Sequence, residues 1–427
     1  MHKAVPIPPT LRRVRRRRRA LQIAAVLLAV LLLLTVGFTP AVPRREAPAA
    51  DEVAAGRDAG IRLREALRDT PGNARVRYTN RDLDGIVALA GNVLHLRHAA
   101  AQVEGDKVAA ALSLPIGPLW LNLHASAASH GPGFPAIWLR IGHLPIPPFM
   151  VRAGAELARG LLILRGVKLP PLDSAFKGVR VGDGAVDLVL DSPPGGSGIV
   201  RSVVGMQTAE ADTRTVVLIY CVLQRRQAAE PSPEFATHLA RAIEARPPGV
   251  ASAPANRAAL VALAMFAVNP RAGELAGTAF PDSVDCRKPV PDLNLVGRTD
   301  LPKHWALSAA LGTMIGDDAG RAMGEWKELA DSLPGGSGFS FVDLSADRAG
   351  LRIGRAAGDP ASAERLARAL SVAHGPDLLP PAALGGVEDL PNAEFVARYR
   401  SIEDARYAAA VARIDALLDA LPLLRAP

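Results

Sequence analysis

The chain has 427 residues, 22% of them charged and 49% hydrophobic, with only two Cys and a formal net charge of +8. That charge is local: the first 19 residues hold eight of the 50 Lys and Arg and none of the 42 Asp and Glu, so the remainder is balanced. A balanced body argues against nucleic acid as a partner, and the lack of CxxC or Cys/His spacing argues against a zinc framework.

The first element in chain order is Leu11 to Arg19, with seven arginines in nine residues, followed by the uncharged run Ala20 to Phe38. At a rise of about 1.5 Å per residue this run nearly covers a hydrocarbon core roughly 30 Å thick, so it predicts a transmembrane helix over 20–38. Basic residues stay on the cytoplasmic side. The expectation is therefore a single-pass protein of a bacterial inner membrane, with residues 1–19 a cytoplasmic tail and the bulk periplasmic. A cleaved signal peptide, with Ala47-Pro48-Ala49 as its site, fits less well, because the run exceeds the roughly 7–15 residues of a signal core.

Residues 39–75 read as a stalk with one helix around Val53 to Leu67. The next region, 76–190, opens on Thr79 to Asp84, whose capping residues precede the helical spacing Leu83, Ile86, Val87 and Ala90. Leu94 to His98, Gln102 to Val103, Lys107 to Leu114, Leu119 to Ala127 and Ala136 to Ile141 alternate apolar with polar residues, which predicts an antiparallel sheet. Gly142 to Phe149 then turns the chain into a helix from Met150 to Leu164. Thr79-Asn80-Arg81-Asp82-Leu83 and Ile141-Gly142-His143-Leu144-Pro145-Ile146-Pro147 resemble the YpmS-like anchored exported proteins, whose function is unknown. A sheet embracing a helix is also similar to lipid carriers, in which an apolar trough suits a lipid chain. His95, His98, His124, His130 and His143 lie in this region without ligand spacing and read as surface or satisfied histidines.

The middle, 191–296, begins with the loop Gly195 to Gly198 and predicts helices at Pro233 to Ala245 and Ala255 to Val268, the second with Leu260, Leu263, Ala264 and Ala267 on one face. Cys221 and Cys286 either pair across about 65 residues, contributing roughly 4 kcal/mol, or remain thiols, since Cys221 sits in the apolar run Val216 to Leu223.

The C-terminal region, 297–427, reads as a helical bundle. Leu301-Pro302 opens one helix that carries His304. Asp317 to Leu333 forms a second, where Glu325, Glu328 and Asp331 recur at i, i+3 and i+6 beside Lys327. Ser340 caps a third, where Asp343 and Asp347 are i, i+4. Helices follow at Ala361 to Val372, Asn392 to Tyr399 and Ser401 to Leu421. The whole chain is thus expected to be α+β: an N-terminal transmembrane helix, an antiparallel β-sheet domain with helices, and an all-α C-terminal bundle.

If the polar faces converge, the chemistry has two uses. His304, Asp343 and Asp347 are candidate ligands for a divalent metal that activates water, with Glu328, Asp331, His304 and Lys327 as candidate catalytic groups. Alternatively, paired carboxylates perform acid/base hydrolysis of a glycan. The competing account is a buried network that fixes helix register. Lys303-His304-Trp305, then Lys327-Glu328-Leu329-Ala330-Asp331, then Phe339-Ser340-Phe341-Val342-Asp343-Leu344-Ser345-Ala346-Asp347 with Gly350 look like the YfiM-type envelope lipoproteins, and distantly the VanZ-like membrane proteins, over about residues 297–354. The resemblance implies an envelope protein and marks His304, Lys327, Glu328, Asp331, Ser340, Asp343 and Asp347, but brings no activity or cofactor with it. This chain departs in lacking a lipobox cysteine and in placing Trp305 where Phe is usual. The functional expectation is a membrane-anchored scaffold or lipid- or glycan-binding module, with an envelope hydrolase as the alternative. The partners expected are the inner membrane through residues 20–38 and an envelope lipid or glycan.

Overall fold

The computed structural model describes residues 33–69, 73–93, 96–164, 171–191, 213–275, 288–313 and 317–425, together with Gln22, Val26 and Cys286. The basic tail, most of the 20–38 run, Leu94, His95 and the Gly195–Gly198 loop lie outside the described residues.

Strand β1 (Val36–Gly37) and helix α1 (Ala50–Asp69) lead into β2 (Ala74–Thr79) and α2 (Asn80–Val93). Asp82 seals the start of α2 by accepting from the backbone N–H and hydroxyl of Thr79 at 2.8 and 2.9 Å, so the capping residues act where the sequence places them. A consecutive antiparallel meander follows, β3 (Ala99–Glu104), β4 (Lys107–Ile116), β5 (Leu119–Ala128), β6 (Ile137–Ile141) and β7 (Leu144–Ile146). β6 covers β5 only from Leu123 to Ala127, and β1 takes the free edge next to it at Trp120 and Leu121. After α3 (Pro148–Leu164), strands β8 (Phe176–Gly182) and β9 (Ala185–Leu190) join β2 in a second sheet of order β2-β9-β8.

The rest is helical: α4 (Thr213–Ala229), α5 (Phe235–Glu244), α6 (Ser252–Ala267), α7 (Leu301–Gly312), α8 (Asp317–Asp331), α9 (Phe341–Gly358), α10 (Ala363–Leu370), α11 (Asn392–Tyr399) and α12 (Ala405–Asp419). Helix α6 is apolar on all sides rather than on one face, and its Leu260, Leu263, Met265 and Phe266 are fully buried. A helix of that composition belongs at the centre of a body, and α4, α5, α7, α9 and α10 pack around it. One continuous apolar core joins Val53 of α1, Leu223, Leu260, Trp305, Val342, Leu366 and Leu418. The regions expected as 191–296 and 297–427 therefore share a core.

Two expectations are corrected. Residues 39–75 are no free stalk: α1 buries Val53 and Ala59, and it meets α2 so closely that a Cβ on Gly85 would lie 2.3 Å from the nitrogen of Gly56. The 20–38 run does not stay helical to Phe38, because Val36 and Gly37 are bonded into the sheet. The apolar run Val216 to Leu223 is a helical face, with Val216, Ile219, Tyr220 and Leu223 buried. Among the described residues, no helix is long and apolar enough to cross a membrane.

Candidate functional site

The site is made by three helices, and glycine sets the first contact. A Cβ on Gly350 would lie 2.3 Å from the carbonyl oxygen of Trp305, and one on Gly354 would lie 2.1 Å from that of Ala309, so α7 and α9 touch backbone to backbone. Only residues without a side chain allow this approach. It brings two i, i+4 pairs face to face, His304 and Ser308 on α7 against Asp343 and Asp347 on α9. Trp305, one residue on, points the other way into the core, where its ring lies 5.3 Å from Phe235 and its Nε1–H donates to the carbonyl of Leu378 at 3.2 Å.

His304 stands between the two carboxylates: Nε2 is 3.3 Å from Oδ2 of Asp343, and Nδ1 is 3.3 Å from Oδ2 of Asp347. The Ser308 hydroxyl donates to the other oxygen of Asp347 at 2.7 Å. Helix α8 supplies Glu328, whose Oε2 accepts the backbone N–H of Ser340 at 3.0 Å and whose Oε1 accepts from Lys327 Nζ at 3.0 Å. Ser340 in turn caps α9 by accepting from the N–H of Asp343 at 3.0 Å. A single loop thus ties the base of α8 to the first turn of α9.

His304, Glu328 and Asp343 each present a ligand atom, and these atoms lie within 4.8 Å of one another. Atoms bound to one ion at about 2.1 Å lie roughly 3–4 Å apart, so a movement of about 1 Å closes the set. Oδ1 of Asp343 is buried with no hydrogen-bond partner, a cost that a bound cation would remove. The expected trio of His304, Asp343 and Asp347 is rearranged: Asp347 faces the opposite ring nitrogen from Asp343, so one ion cannot take both carboxylates and the imidazole. Glu328 takes its place, and Asp347 holds the ring. A ligating histidine usually gives its second N–H to such a carboxylate, which fixes the tautomer.

The charges are strained by burial. Burial first, then the negative charge of Asp347 and Asp343, push the Glu328 carboxyl up to about 7 against the pull of Lys327. Burial also raises Asp343. Burial works to lower the His304 imidazole, but the hydrogen bond and charge of Asp347 outweigh it and the net direction is up. Lys327 rises too, since Glu328 and Asp331 hold its proton against the effect of burial.

The strip Glu325, Glu328, Asp331 does not converge as a unit. Glu325 lies 3.6 Å from Arg348, on the side of α12. Asp331 sits at the rim, 2.8 Å from Lys327 and 3.7 Å from Arg57 of α1, outside the ligand group. Ser308 and Arg57 escaped the sequence reading. Ser308 had a signal, its i+4 spacing from His304; Arg57 had none, being more than 240 residues away in the chain. Of the other histidines, His98 bonds the carbonyl of Val42 at 2.9 Å and packs on Trp120, and His124 lies on the sheet, where burial and then Arg140 lower its pKa. Cys221 and Cys286 are joined as a disulfide, with their Cα atoms 5.3 Å apart.

Compared with protein-family models, curated proteins and solved structures, the chain finds no match.

Proposed function

We propose that this chain is a membrane-anchored scaffold protein of the bacterial cell envelope, whose helical body is fastened by one divalent cation held by His304, Glu328 and Asp343. One observation carries the cation reading: ligand atoms of three side chains from three helices lie within 4.8 Å of one another, and one of these side chains, Asp343, has a buried carboxylate oxygen without a partner. One imidazole and two carboxylates suit a first-row ion such as Zn2+ or Mn2+. The side chains of His304, Glu328 and Asp343 are 12%, 0% and 13% exposed, which favours a structural ion over a turnover site. The arginine run, the uncharged stretch 20–38 and the block resemblance to YfiM-type lipoproteins support the envelope placement.

The test is direct. Full-length protein in detergent, stripped with a chelator and titrated with Zn2+ or Mn2+, takes up one ion per chain and melts at a higher temperature. Glu328→Gln and Asp343→Asn each abolish uptake while the helical signal persists. Failure of the native protein to bind either ion sinks the site.

A second reading, a metal-assisted envelope hydrolase acting on a glycan, is favoured by the rim: Lys327 and Asp331 are 43% and 22% exposed beside Glu328, so solvent reaches the edge of the cluster. Glycan hydrolysis by the loaded protein that disappears in Glu328→Gln would establish it.

A further inference from the structure

Helix α3 wears its apolar residues on the outside. Phe149 is 71% exposed and Leu164 is 84% exposed, with Met150, Leu157 and Leu161 along the same outward stripe. The other exposed positions between them are Ala153, Gly154, Ala158 and Ile163, all uncharged, so the stripe runs for most of a helix about 25 Å long. The charged residues of α3 lie to the other side and are neutralised there, Arg152 by Asp173 at 2.8 Å and Arg159 by Glu156 at 2.7 Å. A helix with this arrangement is suited to lie along a membrane surface with its apolar side in the boundary layer.

The place of α3 in the fold says what covers it. The uncharged run that begins at Ala20 ends in strand β1, and the carbonyl oxygen of Leu34 accepts the backbone N–H of His143 at 2.7 Å. His143 lies six residues before Phe149, a reach of at most about 20 Å. The end of the run and the start of the apolar stripe therefore share one corner of the molecule, where Phe38 is also exposed. Once the part of that run ahead of Leu34 is held in a bilayer, contact between α3 and that bilayer is an intramolecular event at high effective concentration.

We propose that the outward face of α3, from Phe149 to Leu164, docks on the lipid bilayer that holds the N-terminal anchor. The second contact fixes the orientation of the sheet region against the membrane and leaves the cation-bearing helical body farther along the chain. It rests on the anchoring proposed above.

The experiment uses full-length protein in liposomes. The native cysteines are joined to each other, so Leu157→Cys supplies a single free thiol for an environment-sensitive fluorophore. Arg368→Cys on α10 serves as the solvent-facing control, because that side chain is 70% exposed. The expected result is a blue-shifted emission at position 157, lost on adding nitroxide-labelled lipid and insensitive to aqueous iodide, with the opposite behaviour at position 368. A double change of Leu161→Glu and Leu164→Glu restores iodide quenching at 157. Position 157 quenched by iodide in the parent protein overturns the docking. So does a label shielded from both quenchers, which would mean that a second copy covers the stripe. Alkaline carbonate separates the two ideas: protein washed off the vesicles, yet quenched by labelled lipid beforehand, shows that the anchor reading has failed and the docking stands.

Discussion

Helix α9 carries two charged faces that were built to different rules. Toward α12, Arg348 meets Asp415 through two bonds of 2.8 and 2.7 Å, and Arg352 reaches Asp415 at 2.7 Å and Asp419 at 3.0 Å. Toward α7 and α8, the same helix offers Asp343 and Asp347 to one imidazole, with Glu328 close by and one oxygen left without a partner. The first face consists of planar guanidinium forks on carboxylates, a geometry in which donors and acceptors match, with Glu325 as a further acid 3.6 Å from Arg348. The second has a surplus of acid. A finished ion network fixes helix register and needs nothing more; an acid surplus around a histidine is stable only with a proton or a cation to balance it.

The widest gap between the two faces should appear on removing one member of each. Arg348 is 3% exposed, and Arg348→Ala strands Glu325 and leaves Asp415 to Arg352 alone, so a loss of about 3–5 kcal/mol is expected. Glu328→Gln in chelated protein at pH 8 should be neutral or stabilising, because it removes an unwelcome charge. Urea denaturation of the two variants checks this. An equal loss in both would erase the distinction between a closed network and an open one.

Acidity separates the faces next. Glu328 ordinarily titrates at 4.5 and is pushed up to about 7. A raised carboxyl holds its proton in the folded state after the unfolded chain has released it. Its contribution is therefore full below about 4.5 and is lost as pH rises through about 7, up to about 3 kcal/mol in all. Asp343 and His304 are raised as well and act in the same direction. The pKa of Asp415 is lowered: burial opposes this, and the bonds from Arg348 overcome it. Its contribution is present above its usual 3.8 and is lost as pH falls through the depressed value. Chelated protein should thus weaken from pH 5 to 8 through the acid-rich face, with a share from Glu325, which burial raises, and below pH 4 through Asp415. Melting curves of Glu328→Gln should slope less than those of the parent across the upper window, the remaining slope coming from Asp343 and His304; a slope equal to that of the parent protein would refute the assignment.

How much of this was legible follows the range of the interactions. Ser340 with Asp343 three residues on is a local capping signal, and the cap is present. The alternation of β4 and β5 survives because the two strands pair through a short turn. Ala74 to Thr79 alternates just as cleanly, buried then exposed, yet its partner β9 lies about a hundred residues away, and alternation does not name a distant partner. Gly56 and the alanines of α1 look like stalk material until α2 is laid against them. The strip Glu325, Glu328, Asp331 misled for a different reason. Helical spacing puts three carboxylates on one side, but that side is shared by α9, α12 and α1, and each takes one acid.

Cation loading offers a smaller test of the same contrast. At an ion concentration a hundred times the dissociation constant, the native fold gains about 2.7 kcal/mol, and Asp343→Asn should lose that gain entirely. Arg352→Ala, on the closed face, should lower the baseline stability and keep the gain. Affinity should climb with pH, since His304, Glu328 and Asp343 must shed protons to bind.

The finest distinction concerns Asp347, placed against the far nitrogen of His304. If it orients the ring, then Ser308, which donates to its other oxygen at 2.7 Å, acts on the cation at one further remove. Ser308→Ala removes one buried hydrogen bond, costing about 1 kcal/mol of stability. Because the ring is less firmly aimed, cation affinity should fall about tenfold with the stoichiometry unchanged. Asp347→Asn, which keeps the shape and removes the charge, should reduce affinity further. Calorimetric titration of the two variants reads both numbers at once. Loss of stability with affinity untouched would make Asp347 a member of the packing alone, and the two faces of α9 would then differ by one residue fewer.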